Sequence, residues 1–301
     1  MMRPTHCVAM GYASLDHKYL TAPFQGPGRT TLIRGPLAGG LAEAGASSYF
    51  ASSLRARGLD VGIVSWVGTD AMGAAFRDDL LARGVDVAGL SCRGSRSPST
   101  QIFYDEHGES VVWFDPGEVD QSLTTTQCEV VARADALLLG IGPVEATTRA
   151  LDTVRSDALV LWAVKADPAS LPEDLTRRLA DRADVICHSE SETAFLEGLR
   201  SLDRAALSRA GTIVVTTRGS RDVECLVDGV LREVIGPGPV EINDTTGAGD
   251  TFAGGLLARL VQDGMGDHLR TTPSSISNAV AGACTDAYSL LRSRLMKDQD
   301  A

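Results

Sequence analysis

Cysteine is sparse in this chain and is not arranged for metal binding or disulfide formation. The six cysteines are scattered, and no two of them form a Cys-x-x-Cys pair. Several stand inside apolar runs, where cysteine behaves as a small buried hydrophobe. We therefore expect neither structural zinc nor a disulfide framework, and we expect a reducing, cytoplasmic setting. The six are Cys7, Cys92, Cys128, Cys187, Cys225 and Cys284.

Long hydrophobic runs and basic residues are also in short supply. No apolar segment approaches the roughly 20 residues of a transmembrane helix, and the first residues lack the apolar core of a signal peptide. Only three lysines occur, and the net charge is −11. Because nucleic-acid phosphates require basic surfaces, we expect neither a nucleic acid nor a membrane as a partner.

Two familiar nucleotide-binding patterns are missing. No Gly-x-Gly-x-x-Gly follows the first apolar run, and no Gly-Lys-Ser/Thr occurs anywhere in the chain. The first pattern marks dinucleotide-binding folds and the second marks P-loops. A dehydrogenase-like dinucleotide binder therefore ranks far behind other hypotheses, and any phosphate site must work without a P-loop lysine.

The chain does contain an alternation of buried-strand and helical patterns. Apolar residues make up 44% of the 301 residues, which is ample for a large core. Such alternation favours parallel strands in a sheet that helices cover on both faces. We predict one α/β domain over residues 1–301, a three-layer sandwich with a mainly parallel central sheet. Predicted strands are 7–11, 61–67, 136–139, 158–163, 185–187 and 212–216, and predicted helices are 42–57, 74–83, 146–154, 173–182 and 192–199.

Two regions depart from this alternation. Residues 20–37 are rich in Gly, Pro and Thr and have no helical face. Residues 99–114 alternate with a two-residue period, with a turn at 106–109. Both regions predict β-structure outside the central sheet. The alternative interpretation is a pair of ordinary surface hairpins.

The most informative segment is Asp244-Thr-Thr-Gly-Ala-Gly-Asp250, which leads into an apolar helix. A helix N-terminus offers unpaired N–H groups and the positive end of the helix dipole, and glycines let the backbone approach a ligand closely. The segment is therefore suited to a phosphate or a developing anion. Asp250 would repel such an anion, so it fits best as a base for a nucleophile that attacks the phosphate. The alternative is a Gly-rich loop with an acidic first helical turn.

This segment resembles the C-terminal signature of the ribokinase-like, or PfkB, family of carbohydrate kinases. Further motifs of that family follow in order from about residue 8 to about residue 290. Each is short, but the ordered set is specific for the fold and for phosphoryl transfer. These motifs are Gly11-x-x-x-x-Asp16, Gly39-Gly40, Val67-Gly68-Thr-Asp70-Ala-Met-Gly73, Ser189-x-x-Glu192, Thr217-Arg-Gly219 and Asn278-Ala279.

The resemblance implies an ATP- and Mg²⁺-dependent kinase acting on a hydroxymethyl group of a sugar or sugar derivative. Asp250 would be the catalytic base, and the amides of Gly247, Ala248 and Gly249 would hold the transferring phosphoryl group. The resemblance also implies that strands from about 12–37 and 97–116 form a small β lid over the substrate. Lids of this kind often support a homodimer.

The resemblance assigns the remaining positions to the acceptor, the nucleotide and cations. Glu192 would orient Mg²⁺ or its waters, although it also fits a capping box with the serine three residues earlier. Asp244 would help to form a monovalent-cation site, which makes K⁺ a further candidate cofactor, although it also fits a loop aspartate that bonds its own backbone. The predicted acceptor-binding residues are Ser14, Asp16, Gly39 and Gly40, and the predicted nucleotide-binding residues are Thr217, Gly219 and Asn278.

Four positions differ from the family pattern. Ala44 and Ser14 stand where a substrate-side Asn is usual, Ser189 replaces the Asn of Asn-x-x-Glu, and Asp222 replaces a glycine. These changes affect the surroundings of substrate and metal but leave Asp250 intact. They favour an active kinase with an unusual substrate. A nucleoside kinase and a catalytically silent sugar-binding regulator remain as alternatives.

Overall fold

A long, mostly parallel sheet forms the centre of the computed structural model. The structure describes residues 5–37, 45–198, 203–236, 238, 242, 244–264 and 273–299. The strands are β1 (His6–Met10), β2 (Leu15–Thr21), β3 (Ile33–Pro36), β4 (Asp60–Val67), β5 (Leu90–Cys92), β6 (Gly94–Arg96), β7 (Ser99–Tyr104), β8 (Ser110–Asp115), β9 (Glu118–Val119), β10 (Ala136–Leu139), β11 (Leu159–Ala163), β12 (Val185–Ser189), β13 (Ile213–Thr217), β14 (Val223–Val227) and β15 (Val230–Val234).

Helices lie between most of these strands in sequence. Each strand-helix-strand unit returns the chain to the same edge of the sheet, which parallel pairing requires. The helices are α1 (Gly45–Ala56), α2 (Ala71–Ala82), α3 (Thr125–Ala132), α4 (Val144–Thr153), α5 (Glu173–Arg182), α6 (Thr193–Gly198), α7 (Arg204–Arg209), α8 (Ala248–Gln262) and α9 (Pro273–Gln299).

The central sheet has the strand order β15-β14-β13-β12-β11-β10-β1-β4-β5. Pairing is parallel from β13 to β5, whereas β13, β14 and β15 pair antiparallel at one edge. The prediction of an α/β fold with a mainly parallel sheet is confirmed. All six predicted strands and five predicted helices are present, with ends that differ by a few residues.

Apolar side chains cover both faces of this sheet. On one face, Phe50 of α1 and Leu256 of α8 pack in a cluster that also includes residues of α9. On the other face, Trp66 and Trp162 pack with Leu179 of α5. Burying side chains of this size contributes about 1.5–3 kcal/mol each. The two clusters define the helix-sheet-helix layers that the sequence predicts.

A second sheet of four strands, in the order β3-β2-β7-β8, lies apart from the central one. Its aromatic side chains pack together: the rings of Tyr19 and Phe103 stack at 5.3 Å, and Phe103 meets Trp113 edge-on at 5.0 Å. We call this sheet the small sheet. Its first strand, β2, begins at Leu15, upstream of the region that the pattern predicts, so Asp16 belongs to the small sheet.

The carboxyl ends of the parallel strands meet at one edge of the central sheet. In open α/β sheets, ligands bind outside this edge. Ser189 at the end of β12 and Thr217 at the end of β13 are register partners there. No helix in the described part of the chain is long and apolar enough to span a bilayer.

Candidate active site

The segment of residues 244–249, which we call the glycine loop, leads directly into α8. Gly247 is the N-cap of α8 and has a left-handed backbone, with φ of 73°. A Cβ built on Gly247 would lie 2.5 Å from the ring of Tyr49. Both the backbone angle and the close approach of α1 therefore require glycine at this position.

Several backbone amides at this helix start lack acceptors. The Ala248 amide donates to the carbonyl of Thr245 at 3.2 Å and closes a turn. Among the described residues, no acceptor receives a hydrogen bond from the amides of Gly247, Gly249 or Asp250. Of the three predicted phosphoryl-binding amides, those of Gly247 and Gly249 therefore remain open for an anion.

Asp250 lies in the first turn of α8 and is half-buried. The pKa of Asp250 is raised to about 6, mainly because the group is buried; the charge of Lys165 opposes this rise, and the charge of Glu192 adds to it. These influences show that Lys165, after β11, and Glu192, after β12, lie near the carboxylate. The carboxyl ends of two strands thus face the start of α8.

Asp16 on β2 is the second carboxylate of the site. It accepts a hydrogen bond from the Ser14 hydroxyl at 3.3 Å, and that hydroxyl in turn accepts one from Thr100 at 3.0 Å. Burial raises the pKa of Asp16 to about 7, with a contribution from the charge of Asp250, and the charge of Lys18 opposes the rise. Lys18, two residues further along β2, bonds Asp244 at 2.9 Å, so β2 lies against the segment that leads into α8, and the charge of Asp250 reaches Asp16 there.

Glu192 forms the capping box that its spacing predicts. Its Oε2 accepts hydrogen bonds from the Ser189 amide at 2.8 Å and from the Ser189 hydroxyl at 2.9 Å. Glu192 is buried, and its charge reaches Asp250. The capping role therefore orients Glu192 towards the site, and Oε1 has no partner among the described residues.

Asp244 is held by the small sheet. Lys18 of β2 donates to Oδ2 at 2.9 Å, and the Tyr104 hydroxyl of β7 lies 3.4 Å from Oδ1 and 2.6 Å from the Thr246 hydroxyl. Burial alone would raise the pKa of Asp244, but the nearby charges of Lys18 and Arg294 outweigh that effect and lower it. Asp244 also bonds its own loop, because Oδ1 accepts from the Thr246 amide at 3.1 Å.

The predicted nucleotide-side residues are spread more widely. Thr217 ends β13 beside Ser189, and Gly219 follows in a left-handed conformation with φ of 65°. Asn278 is an exposed residue of α9. Asp222, which replaces a family glycine, accepts a hydrogen bond from the Gly236 amide at 3.1 Å. Gly39, Gly40 and Ala44 lie outside the described residues.

Other motif residues shape the site indirectly. Asp70 caps α2 by accepting a hydrogen bond from the Gly73 amide at 2.9 Å, and it also accepts one from the Ser97 amide at 2.8 Å. Ser97 is separated from the small-sheet strand β7 by a single proline. The Val-Gly-x-Asp-x-x-Gly motif therefore anchors α2 and the entry to the small sheet.

Sequence reasoning missed three cations at the site, Lys18, Lys165 and Arg294. The scarcity of lysine was the available signal, because two of only three lysines in the chain carry charge into this cleft. Arg294 had no such signal, since it is one of many arginines and follows no motif.

Comparison with known proteins identifies the family of the chain. A profile of the pfkB family carbohydrate kinases matches residues 44–285. The fructokinase of Klebsiella pneumoniae is 29% identical over 261 residues, which cover 80% of this chain and 83% of that protein. Asp16 and Arg294 lie outside the segment that the profile matches.

Solved structures share the fold. The nucleoside kinase of Methanocaldococcus jannaschii superposes with a TM-score of 0.73 at 15% identity, covering 97% of this chain and 98% of its own. The Arabidopsis thaliana ribokinase complexed with ribose and ATP gives a TM-score of 0.71 at 18% identity, covering 96% and 99%. The chain therefore belongs to the pfkB family of carbohydrate kinases and is a phosphotransferase with an alcohol group as acceptor.

Proposed function

We propose that this protein transfers the γ-phosphoryl group of ATP to a hydroxymethyl group of a sugar or sugar derivative, with Asp250 as the base. The observation that carries the proposal is the pairing of two carboxylates beside an open helix N-terminus. Asp16 and Asp250 lie near enough for the charge of one to raise the pKa of the other. An acceptor held by Asp16 would present its hydroxyl to Asp250.

The reaction needs a base, an anion site and an aligned acceptor. The acceptor oxygen forms a bond to the γ-phosphorus as the bond to the ADP oxygen breaks, and the hydroxyl proton passes to Asp250. A pKa of about 6 leaves Asp250 mostly ionised at neutral pH yet basic enough to accept this proton. The amides of Gly247 and Gly249 would stabilise charge on the transferring oxygens.

ATP and Mg²⁺ are the proposed cosubstrate and metal. The Arabidopsis ribokinase of the same fold binds ATP, and Thr217, Gly219 and Asn278 would border the nucleotide here. Mg²⁺ takes few protein carboxylates and keeps several waters, so the Oε1 of Glu192 suits it. No group of three or more His, Cys, Asp or Glu side chains that could hold a metal ion by themselves occurs among the described residues. When bound, Mg²⁺ would neutralise part of the charge on the phosphates.

Acceptor hydroxyls suit the polar end of the cleft. The Asp16 carboxylate can accept strong hydrogen bonds from paired sugar hydroxyls, and the Ser14 hydroxyl holds this carboxylate in place. The Ser14 hydroxyl bonds Asp16 and Thr100, so Ser14 would act on the acceptor mainly through Asp16. Gly39 and Gly40 stay predicted substrate contacts.

A nucleoside is the second candidate acceptor. The rings of Tyr12, after β1, and Phe114 of β8 meet at 4.9 Å with a tilt of 48°. Aromatic rings of this kind can pack against a flat base, and the similar Methanocaldococcus protein is a nucleoside kinase. A ligand-binding regulator without activity is disfavoured because Asp250 and the open amides are all in place.

The small sheet is the proposed lid and dimer surface. Its edge strand exposes Trp113 at 58% of its surface on one face and Val112 at 54% on the other. Trp113 packs with Phe103 of β7, so this face of the small sheet presents an exposed aromatic surface that a second copy could cover. We place the protein in the cytoplasm, where ATP is supplied and its six free cysteines stay reduced.

ATP turnover against a panel of sugars, sugar phosphates and nucleosides tests the proposal. The expected result is acceptor-dependent ADP formation that the Asp250→Asn variant reduces by about 100-fold or more. If no acceptor raises ADP formation above that of Asp250→Asn, the kinase assignment is wrong. If only nucleosides raise it, the second candidate replaces the first.

A further inference from the structure

Arg294, near the end of α9, places a charged nitrogen among oxygens of the glycine loop. Its Nη1 donates to the carbonyl oxygen of Thr246 at 2.6 Å and to that of Asp244 at 3.2 Å. The same nitrogen lies 3.5 Å from Oδ2 of Asp244. Arg294 is only 6% exposed. Two carbonyls and a carboxylate therefore converge on one buried cation.

Such a set of oxygens is what a monovalent metal ion would need. Backbone carbonyls and carboxylates are the ligands of hard cations, and carbonyl oxygens replace the hydration shell of K⁺. The guanidinium nitrogen already uses all three oxygens, and the Lys18 ammonium uses Oδ2 of Asp244 as well. The residues around Asp244 therefore do not fit the K⁺ site that the sequence motif predicts.

We infer that Arg294 is a built-in replacement for a monovalent cation: its guanidinium fixes the glycine loop for phosphoryl transfer, so that turnover needs no added K⁺. The inference rests on the proposed kinase function of the same site. Arg294 is a positioning residue, because it acts through the loop and not on the reacting atoms.

Peptide geometry connects Arg294 to the anion site. A trans peptide unit is planar, and its C=O and N–H point in opposite directions. The carbonyl of Thr246 shares a peptide unit with the amide of Gly247. Arg294 holds the Thr246 carbonyl pointing towards α9. The N–H of Gly247 therefore points away from α9 and from the guanidinium. The amide that would bind the phosphoryl group is therefore oriented by the cation behind it.

Neighbouring elements fix the guanidinium itself. Its Nη2 donates to the Tyr49 hydroxyl at 2.8 Å, and its central carbon lies 5.9 Å from the centre of the Tyr49 ring. The same ring packs against Gly247. Arg294, Tyr49 and the glycine loop thus form one packed unit.

Charge supports the same conclusion. Arg294 and Lys18 contribute two positive charges, and Asp244 contributes one negative charge. The group carries a net charge of +1 beside the open amides, which favours a phosphate in the way that a bound K⁺ would. Lys18 is also buried, at 7% exposed, and comes from the small sheet, so the charge is supplied by two separate elements.

The experiment measures turnover of the best acceptor in buffer whose only cations are Tris and Mg²⁺, with and without about 100 mM KCl. Choline chloride controls for ionic strength. For the native protein we expect less than a twofold effect of K⁺. For Arg294→Met we expect kcat to fall by about 10-fold or more with little change in KM for ATP, and to recover about 5-fold or more with KCl or with millimolar guanidinium.

Two variants and one binding readout sharpen the test. Arg292→Met removes an arginine of the same helix that does not contact the glycine loop, and should leave both turnover and its salt response unchanged. Arg294→Lys should keep a fixed cation and show no recovery with K⁺. Independently of activity, the melting temperature of Arg294→Met should rise with KCl relative to choline chloride, whereas that of the native protein should not.

Three results would overturn the inference. One is activation of the native protein by K⁺ of more than about 5-fold. Another is a correctly folded Arg294→Met variant whose kcat equals that of the native protein. The third is an Arg294→Met variant whose lost kcat no cation restores and whose melting temperature does not change with K⁺. Arg294 would then have only a structural role. If no acceptor is found, the kinase proposal fails, and the melting temperatures still decide the role of Arg294.

Discussion

The glycine loop and the acceptor side of the cleft are built in opposite ways. In the loop, the polar groups of Asp244 and Thr246 are tied to Lys18, Tyr104 and Arg294. On the acceptor side, the carboxylates of Asp16 and Asp250 have raised pKa values because burial outweighs their partners.

This difference separates two tasks. Satisfied groups hold the loop in one conformation before any ligand binds, which is the preorganisation that electrostatic catalysis requires. Under-satisfied carboxylates keep hydrogen-bonding capacity for an acceptor, at a cost in folding stability. The chain thus combines a rigid phosphate end with an acceptor end that is completed by its substrate.

The largest expected effect comes from removing the base. Asp250→Asn keeps the shape of the side chain but cannot take the acceptor proton. We expect kcat to fall by ~10²–10⁴-fold, as measured by coupled detection of ADP. Asp263→Asn, at the opposite end of α8, serves as the matched control and should retain native kcat.

The same variant should be more stable to unfolding than the native protein at pH 8. The pKa of Asp250 is raised to about 6 in the folded chain, so the folded state binds the proton more tightly than the unfolded state does. Stability is therefore lost as the pH rises from about 4 through about 6. At pH 8, Asp250→Asn should gain up to about 3 kcal/mol in urea denaturation. A loss of stability would contradict the assigned burial of a charged base.

Gly247→Ala tests the rigid end of the comparison. Its Cβ would contact the Tyr49 ring in a left-handed backbone, so the loop must move and turn its amides away. We expect kcat to fall by ~10²–10³-fold, as for the loss of one anion-binding donor.

Gly264→Ala separates backbone strain from the contact with Tyr49. Gly264 also has positive φ, of 79°, but a methyl group added there would have no atom within 4 Å. The variant should lose about 1 kcal/mol of stability and keep its kcat. Equal effects of the two substitutions on kcat would remove the glycine loop from the mechanism.

The pH profile tests the acceptor end. Asp250 must be ionised to accept a proton, so kcat/KM should rise with pH and level off above an apparent pKa between about 6 and 7. The value belongs to the coupled pair and not to one residue. In the Asp16→Asn variant, kcat/KM should rise with pH in a single step near pH 6. A profile that is flat between pH 5 and 8 would show that neither carboxylate titrates as described.

The smallest effect is expected at Lys165. Its charge lowers the pKa of Asp250, so Lys165→Met should shift the rising limb of kcat/KM to higher pH, with less than a tenfold loss at pH 8. Lys165→Arg keeps the charge and should keep the native profile. An unshifted limb in Lys165→Met would place Lys165 outside the electrostatic reach of the base.

The glycine loop and the acceptor side of the cleft also differ in how much of each could be predicted from the sequence. The buried strands and the α8 motif are local patterns, so the sheet and Asp250 follow from adjacent residues. The β14–β15 hairpin and the short helices α3 and α7 were not predicted because their patterns are weak, and α9 was expected only from the family resemblance around Asn278. The ties of the glycine loop span the chain: Lys18 and Arg294 are 226 and 50 residues from Asp244. Only folding brings those charges together, and no spacing rule anticipates them.

The central claim is that the rigid and the open end form one cleft. A crystal structure of Asp250→Asn with its best acceptor and a non-hydrolysable ATP analogue tests it directly. We predict acceptor hydroxyls bonded to Asp16, one hydroxyl oxygen within about 3.2 Å of the residue 250 side chain, and the γ-phosphate at the amides of Gly247 and Gly249. An acceptor bound away from residue 250, or a phosphate bound away from the glycine loop, would contradict the account.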